Sequence, residues 1–169
     1  MIEYVRPTIK DIPKIQTLLD EVWKATYGPF YPSEKLKKLA AVFHNTERLT
    51  EQINNTDICF IVAKIKDNEI VGVITAYQKN ENIDAGRLYI QTDFQGKGIG
   101  SDLLKQAISY YPSAKIIQVG VDIKNDVGRT WYMKKGFKAI EEASEKPIGE
   151  ETITTFIMEK KIEQKDRLP

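Results

Sequence analysis

The sequence predicts a single α/β domain, one β-sheet flanked by helices. Three observations carry this. Runs that alternate with a period of two interleave with runs whose apolar residues recur at helical spacing. The last two β-rich runs are joined by a short loop and so pair antiparallel. The length, 169 residues, suffices for one well-buried domain but not for two ordinary ones. No internal repeat or low-complexity linker divides the chain. Residues 1–162 therefore read as one domain, and "EQKDRLP" (163–169) as a loose C-terminal tail.

In chain order, "IEYVRP" alternates and stops at Pro7, a first strand. Thr8 is placed to cap a helix whose buried face is Ile9, Ile12, Ile15, Leu18, Leu19, Val22 and Trp23. Gly28, Pro29 and Pro32 break it, and Ser33 can cap a second helix to about His44. "NTERLTEQINN" reads as a third, short helix. "DICFIVAKIKDNEIVGVITAYQKN" holds two strands around a hairpin turn at Asp67-Asn68. "NIDAGRLYIQT" is a fourth strand, followed by a glycine turn and a helix from about Gly98 to Tyr111. "AKIIQVGVDI" is a fifth strand, and "NDVGRTWYMKK" a helix that Gly136 ends. "FKAIEEAS" and "ETITTFIMEKKI" form the closing antiparallel pair.

The chemistry begins in "IQTDFQGKGIGSDLLKQAI" (90–108), where glycines 96, 98 and 100 stand between a strand and a helix. A P-loop would need Lys and Ser/Thr after its last glycine, whereas Gly100 is followed by Ser101 and Asp102. A dinucleotide fold would need a third glycine at position 101, and this turn follows an antiparallel meander in mid-chain, which leaves Asp122 a poor ribose ligand. What the stretch does supply is a set of free amides at a helix N-terminus, where the dipole also favours anions. A pyrophosphate fits that chemistry, and a flexible turn is the plain alternative.

These residues resemble the GNAT superfamily of acetyl-CoA-dependent acyltransferases. Its phosphate-binding motif, Gln/Arg-x-x-Gly-x-Gly/Ala, is matched by Gln95, Gly98 and Gly100. "NDVGRTWYMKKGF" is similar to its Asn-x-x-Ala-x-x-Phe-Tyr-x-x-x-Gly-Phe segment: Asn125, Tyr132, Gly136 and Phe137 match, with Gly128 for Ala and Trp131 for Phe. The resemblance covers about residues 2–162, those before 60 only in their elements. It implies a mixed, mostly antiparallel central sheet in which parallel strands 4 and 5 splay apart around the cofactor's pantetheine arm. Backbone groups of Leu88, Tyr89 and Ile90 would bind that arm. The turn from Gln95 through Gly96, Lys97, Gly98, Ile99, Gly100 and Ser101 would hold the pyrophosphate. Asn125 would meet the pantetheine amide, or simply cap its helix. Lys97, Arg129 and Lys134 would meet the 3′-phosphate. Gly86, inside a strand, suggests a bulge or mere tolerance at an edge.

By the same resemblance Tyr132 is the general acid that protonates the departing sulfur; packing against the sheet is its alternative. A free alkyl amine has a pKa near ~10.4, so something must take its proton. Strand alternation puts Asp84 on the side of Leu88 and Ile90, and by the resemblance its position corresponds to a glutamate that serves as base in some family members, the shorter side chain implying a water relay. "EVWKATYGPFYP" resembles a Trp-x-x-Thr-Tyr segment of spermidine/spermine acetyltransferase-like members. With Trp23, Tyr27, Tyr31 and Glu34 it suits an amine cation. The expected reaction is acetyl transfer from acetyl-CoA to a primary amine, a polyamine or other small amine. A peptide N-terminal acetyltransferase and a non-catalytic CoA-binding sensor are the alternatives.

Composition narrows the partners. The formal net charge of +1 points to no polyanionic partner, so no nucleic acid is expected. One cysteine, Cys59, allows no internal disulfide and reads as a buried strand residue. One histidine, His44, builds no His-rich metal site, so no metal is expected and a surface or capping role is the default. Without a signal pattern or a long apolar run, the expectation is a cytoplasmic protein off the membrane, with room for a homodimer.

Overall fold

The computed structural model describes residues 1–169. Strands β1 (Glu3–Val5), β2 (Ile58–Lys64), β3 (Ile70–Lys79), β4 (Asn82–Ile90) and β5 (Ile116–Asp122) enter the sheet in sequence order. β8 (Glu151–Lys161) follows β5, and its far side pairs with β6 (Lys138–Ala139) and β7 (Ser144–Ile148). Only β4 and β5 are parallel; every other pair is antiparallel. Helices α1 (Ile12–Tyr27), α2 (Ser33–Phe43) and α3 (Thr46–Asn54) precede β2, α4 (Ile99–Tyr110) crosses from β4 to β5, and α5 (Asp126–Lys134) follows β5.

The sheet separates two cores. On one face Ile61, Ile74, Ile83, Ile117 and Val119 pack with Ile99, Leu103 and Ile108 of α4. On the other, Phe60, Val62 and Val73 meet Ile15, Leu18, Leu19 and Val22 of α1. The apolar stripe read from α1 is buried from Ile12 to Trp23. Ile9 is not part of it: Thr8 opens a 3-10 turn held by Asp11, whose carboxylate accepts from the Thr8 amide at 2.8 Å, and Ile9 is exposed.

The C-terminal half departs from expectation in two places. "FKAIEEAS" contributes only Lys138–Ala139 to the sheet, while Ser144–Ile148 forms the hairpin with β8. β7 is an edge strand, which is where a strand tolerates Pro147. The closing residues are also tied down rather than loose. The Arg167 guanidinium donates to the carbonyls of Ile108, Tyr111 and Ala114 at 2.8–3.2 Å, and Lys160 pairs with Asp166 at 2.6 Å.

Candidate active site

β4 and β5 are hydrogen-bonded only where Asn82–Ala85 faces Ile116–Val119, although both strands continue beyond. The separation starts at Gly86. On β3, Ala76 pairs with Ala85 and Thr75 with Arg87, so Gly86 is the extra residue of a β-bulge. The bulge resets the side-chain alternation. Ile83 and Ala85 before it, and Leu88 and Ile90 after it, join the α4 core, whereas Asp84, Arg87 and Tyr89 border a cavity on the opposite face.

A groove of about 840 Å³ runs from the glycine turn to the parted strands, lined by α4 and α5 and also by Val22, Ala25, Thr26 and Tyr27 of α1. Gly96 and Gly98 have φ of +75° and +87°, a backbone region that L side chains rarely adopt. No amide from Gly96 to Ser101 donates to a backbone carbonyl. These orphan donors open α4, whose dipole places partial positive charge at the same spot. Gln95 Nε2 donates to the Ile90 carbonyl at 3.0 Å and ties the turn to the end of β4. The groove floor includes Val119 and Val121, and α5 closes its side with Asn125, Trp131 and Tyr132. Asn125 caps α5, its Oδ1 accepting from the Gly128 amide at 2.9 Å. A Cβ at 128 would stand 2.5 Å from Asn125 Nδ2, so a side chain there would displace the capping amide.

Tyr132 is 8% exposed and packs edge-on to Trp131 and Phe137, with centroids 5.0 and 5.2 Å away. Burial, then the neighbouring Tyr89, holds its phenol well above the ordinary tyrosine range. The hydroxyl therefore keeps its proton across neutral pH.

The cavity on the other face, about 310 Å³, lies between the sheet and α1–α3. Trp23, Tyr27, Tyr31, His44, Asp84, Arg87 and Asp122 are among its lining residues. The Tyr31 hydroxyl donates to both oxygens of Asp122, at 2.8 and 3.0 Å, and that of Tyr77 donates to Asp84 at 2.8 Å. Burial and the Asp122 bond push Tyr31 up to about 12. Burial, reinforced by Arg87 and Arg48, drops His44 to about 3, so its imidazole is neutral. Tyr27, Gly86, Tyr89 and Gly120 line both spaces. The two cavities thus meet where β4 and β5 part, and a side-chain-free position on each strand marks the opening.

Residues 28–162 match the family model of the acetyltransferase (GNAT) domain, well over half of the chain. The chain belongs to the GNAT acetyltransferase family. It is 29% identical over 168 residues to the spermidine N(1)-acetyltransferase of Thermoplasma acidophilum, covering 96% of this chain and 98% of that one. The crystal structure of the PaiA N-acetyltransferase from the same organism, in complex with coenzyme A, matches with a TM-score of 0.82 at 28% identity, over 96% and 99% of the two chains. The Escherichia coli ribosomal-protein-S18-alanine N-acetyltransferase shares the fold, with a TM-score of 0.69 at 12% identity over 96% and 94%.

In this acetyltransferase one groove brings together Leu88, Tyr89, Ile90, Gln95, Gly96, Gly98, Ile99, Gly100, Ser101, Asn125 and Tyr132. It leaves out the three expected phosphate cations. Lys97 lies over the Phe94 ring, Arg129 pairs with Asp126 at 2.9 Å, and Lys134 is off the wall. Lys135 lines the groove instead, its ammonium 5.4 Å from the centre of Trp131. Four residues after Trp131, it shares that residue's helix face, which is the signal that finds it.

Asp84 is not on the side of Leu88 and Ile90; the bulge turns it into the second cavity. Trp23, Tyr27 and Tyr31 line that cavity, whereas Glu34, exposed in the first turn of α2, lines neither space. His44 caps the C-terminal end of α2 but is buried, 4.4 Å edge-on from Trp23, rather than on the surface. Arg87 and Asp122 complete the cavity, and sequence reasoning gave neither a role in binding an acceptor.

Proposed function

We propose that the chain transfers the acetyl group of acetyl-CoA to the primary amine of a small molecule, by direct attack in a ternary complex. The observation that carries this is the opening between β4 and β5, where the groove and the second cavity share Gly86 and Gly120. The coenzyme A bound by the Thermoplasma structure supports placing the cofactor in the groove. Its pyrophosphate would take the free amides of residues 96–101, with Lys135 and Lys124 on the rim. Its pantetheine arm would run along Leu88–Ile90 past Asn125, bringing the thioester to the opening. The acceptor would come from the other side.

The amine lone pair attacks the carbonyl carbon, the C–S bond breaks, and Tyr132 donates its proton to the leaving sulfur. Asp84 and Asp122 stand two residues from Gly86 and Gly120 respectively, so each flanks the opening. Both attract an ammonium ion, and Asp84 takes its proton through water. The rings of Trp23, Tyr27 and Tyr31 add cation–π contacts worth roughly 0.5–2 kcal/mol each. A small primary amine is the acceptor class that the carboxylates and rings of this lining support, and the spermidine relative makes a polyamine one candidate within it.

Spermidine, spermine, simple amines and N-terminal peptides, assayed side by side at fixed acetyl-CoA, test the acceptor class. A small amine gives the highest kcat/KM, and its KM rises with ionic strength because charge holds it. A peptide about tenfold better than every small amine overturns the assignment.

A further inference from the structure

The acceptor cavity carries a second chemistry that an amine does not use. Arg87 is 6% exposed, yet no carboxylate stands against it. Its Nη1 donates to Gln52 Oε1 at 2.7 Å and to Thr75 Oγ1 at 3.3 Å, its Nη2 to the Phe43 carbonyl, and its Nε to nothing. A buried guanidinium normally meets an anion, because desolvating an unpaired charge is costly. Arg48, on the same wall, lies over the Phe43 ring and has no acidic partner either.

A second observation is independent of charge. Only four buried side-chain N or O atoms in the chain lack a hydrogen-bond partner: Trp23 Nε1, His44 Nδ1, Arg87 Nε and Thr155 Oγ1. All four belong to residues that line this one cavity. Buried side-chain polar atoms are otherwise satisfied, as native interiors require. The Trp23 indole has the Tyr89 hydroxyl beside it, but the guanidinium N–H is a donor only, and nothing but an acceptor atom completes it. An unspent guanidinium donor and two arginines without a carboxylate on one wall describe a site for an oxyanion.

We propose that this wall receives a carboxylate of the acceptor, so that the preferred substrate is a small amino-carboxylate. Its amine points to the opening between β4 and β5, and its carboxylate to Arg87 and Arg48. The inference rests on reading this cavity as the acceptor site. A cavity of about 310 Å³ suits a molecule of that size, at the small end of ligand pockets. An acceptor with a cation at each end, such as a diamine, would press one ammonium against an unpaired guanidinium.

A length series of ω-amino acids, each assayed against the monoamine and the diamine of equal chain length, tests this without any variant. At the best length the amino acid exceeds both in kcat/KM by about tenfold or more, as one or two charge-assisted hydrogen bonds imply. Arg87→Gln collapses that ratio. Because Arg87 also ties β4 to Gln52 and α2, Arg48→Gln, at an exposed position, provides a second variant, which lowers the ratio through KM for the amino acid. Diamines or spermidine outrunning every amino acid in the wild type overturns this inference and leaves the amine site standing. Stimulation of a diamine by free acetate, with no advantage for the tethered carboxylate, also overturns it, in favour of a separate anion. If no primary amine of any kind is acetylated, the acceptor-site reading falls with it.

Discussion

Replacing Gly98 by alanine tests the cofactor site at its most constrained point. Gly98 has φ +87°, and a Cβ built there meets no protein atom within 4 Å. The penalty is therefore conformational, about 1–2 kcal/mol for an L-residue held in the left-handed region. Two responses are open to the chain. If the turn keeps its shape, the variant loses that stability, a fall in Tm of about 2–8 °C for a domain of this size, and the new methyl stands where the pyrophosphate approaches. If the turn relaxes to negative φ, the amides of residues 96–101 no longer converge. Either way at least one charge-assisted hydrogen bond is lost, worth about 1.5–3 kcal/mol, so acetyl-CoA affinity drops by about ten- to a hundredfold. Calorimetry with acetyl-CoA reads the loss. Acetyl-pantetheine, which lacks the pyrophosphate, should be used equally by variant and wild type. A folded Gly98→Ala protein with wild-type affinity for acetyl-CoA would refute the site.

Two further outcomes follow from the buried groups. Tyr132→Phe keeps the ring contacts with Trp131 and Phe137 and removes only the donor. Its kcat should fall by about 10²- to 10⁴-fold with acetyl-CoA affinity unchanged; a kcat near wild type, with chemistry rate-limiting, makes Tyr132 a packing residue. His44 gives a pH signature in stability. Its folded pKa of about 3 lies below the unfolded value of 6.5, so the unfolded chain binds the extra proton between those values and stability is lost as pH falls through that window. By pH 5 the loss is on the order of 2 kcal/mol. The depressed Asp11 and Asp166 act in the same direction, but at the lower pH where carboxylates protonate. Denaturant titrations of wild type and His44→Phe at pH 7 and 5 isolate the histidine, and an equal slope in both removes it as the cause.

Much of this site was legible because local chemistry announced it. Glycines in positive φ before a helix, a capping Asn125 with glycine three residues on, and an aromatic pair ending in Gly136-Phe137 are short-range features. The apolar stripe of α1 needed only periodicity. What failed depended on the third dimension. Gly86 was readable as a bulge, but its consequence, that Asp84 leaves the face of Leu88 and Ile90, follows only once the β3 register is known. Arg87 and His44 look like surface residues in sequence, since nothing local says that α2 and α3 will fold over them. The tail looked loose because Arg167 finds its acceptors more than fifty residues away, at the end of α4. Lys97, Arg129 and Lys134 came with the resemblance, and only the folded chain shows that Lys97 lies over the Phe94 ring and that Arg129 pairs with Asp126.

The central claim is that acetyl transfer passes through the opening between β4 and β5, and Gly120→Val closes it most directly. A Cβ at 120 would sit 3.9 Å from Ile157 Cδ1 and Thr155 Oγ1, an ordinary contact, and a melting curve of wild-type shape establishes that the two γ-methyls of valine are also accommodated. The measurement is kcat for the best amine, with acetyl-CoA affinity determined on the same preparation. A blocked opening misplaces amine and thioester by more than an ångström, so kcat should fall by about a hundredfold or more while the cofactor still binds. A folded Gly120→Val enzyme that binds acetyl-CoA and turns over at the wild-type rate would contradict the account.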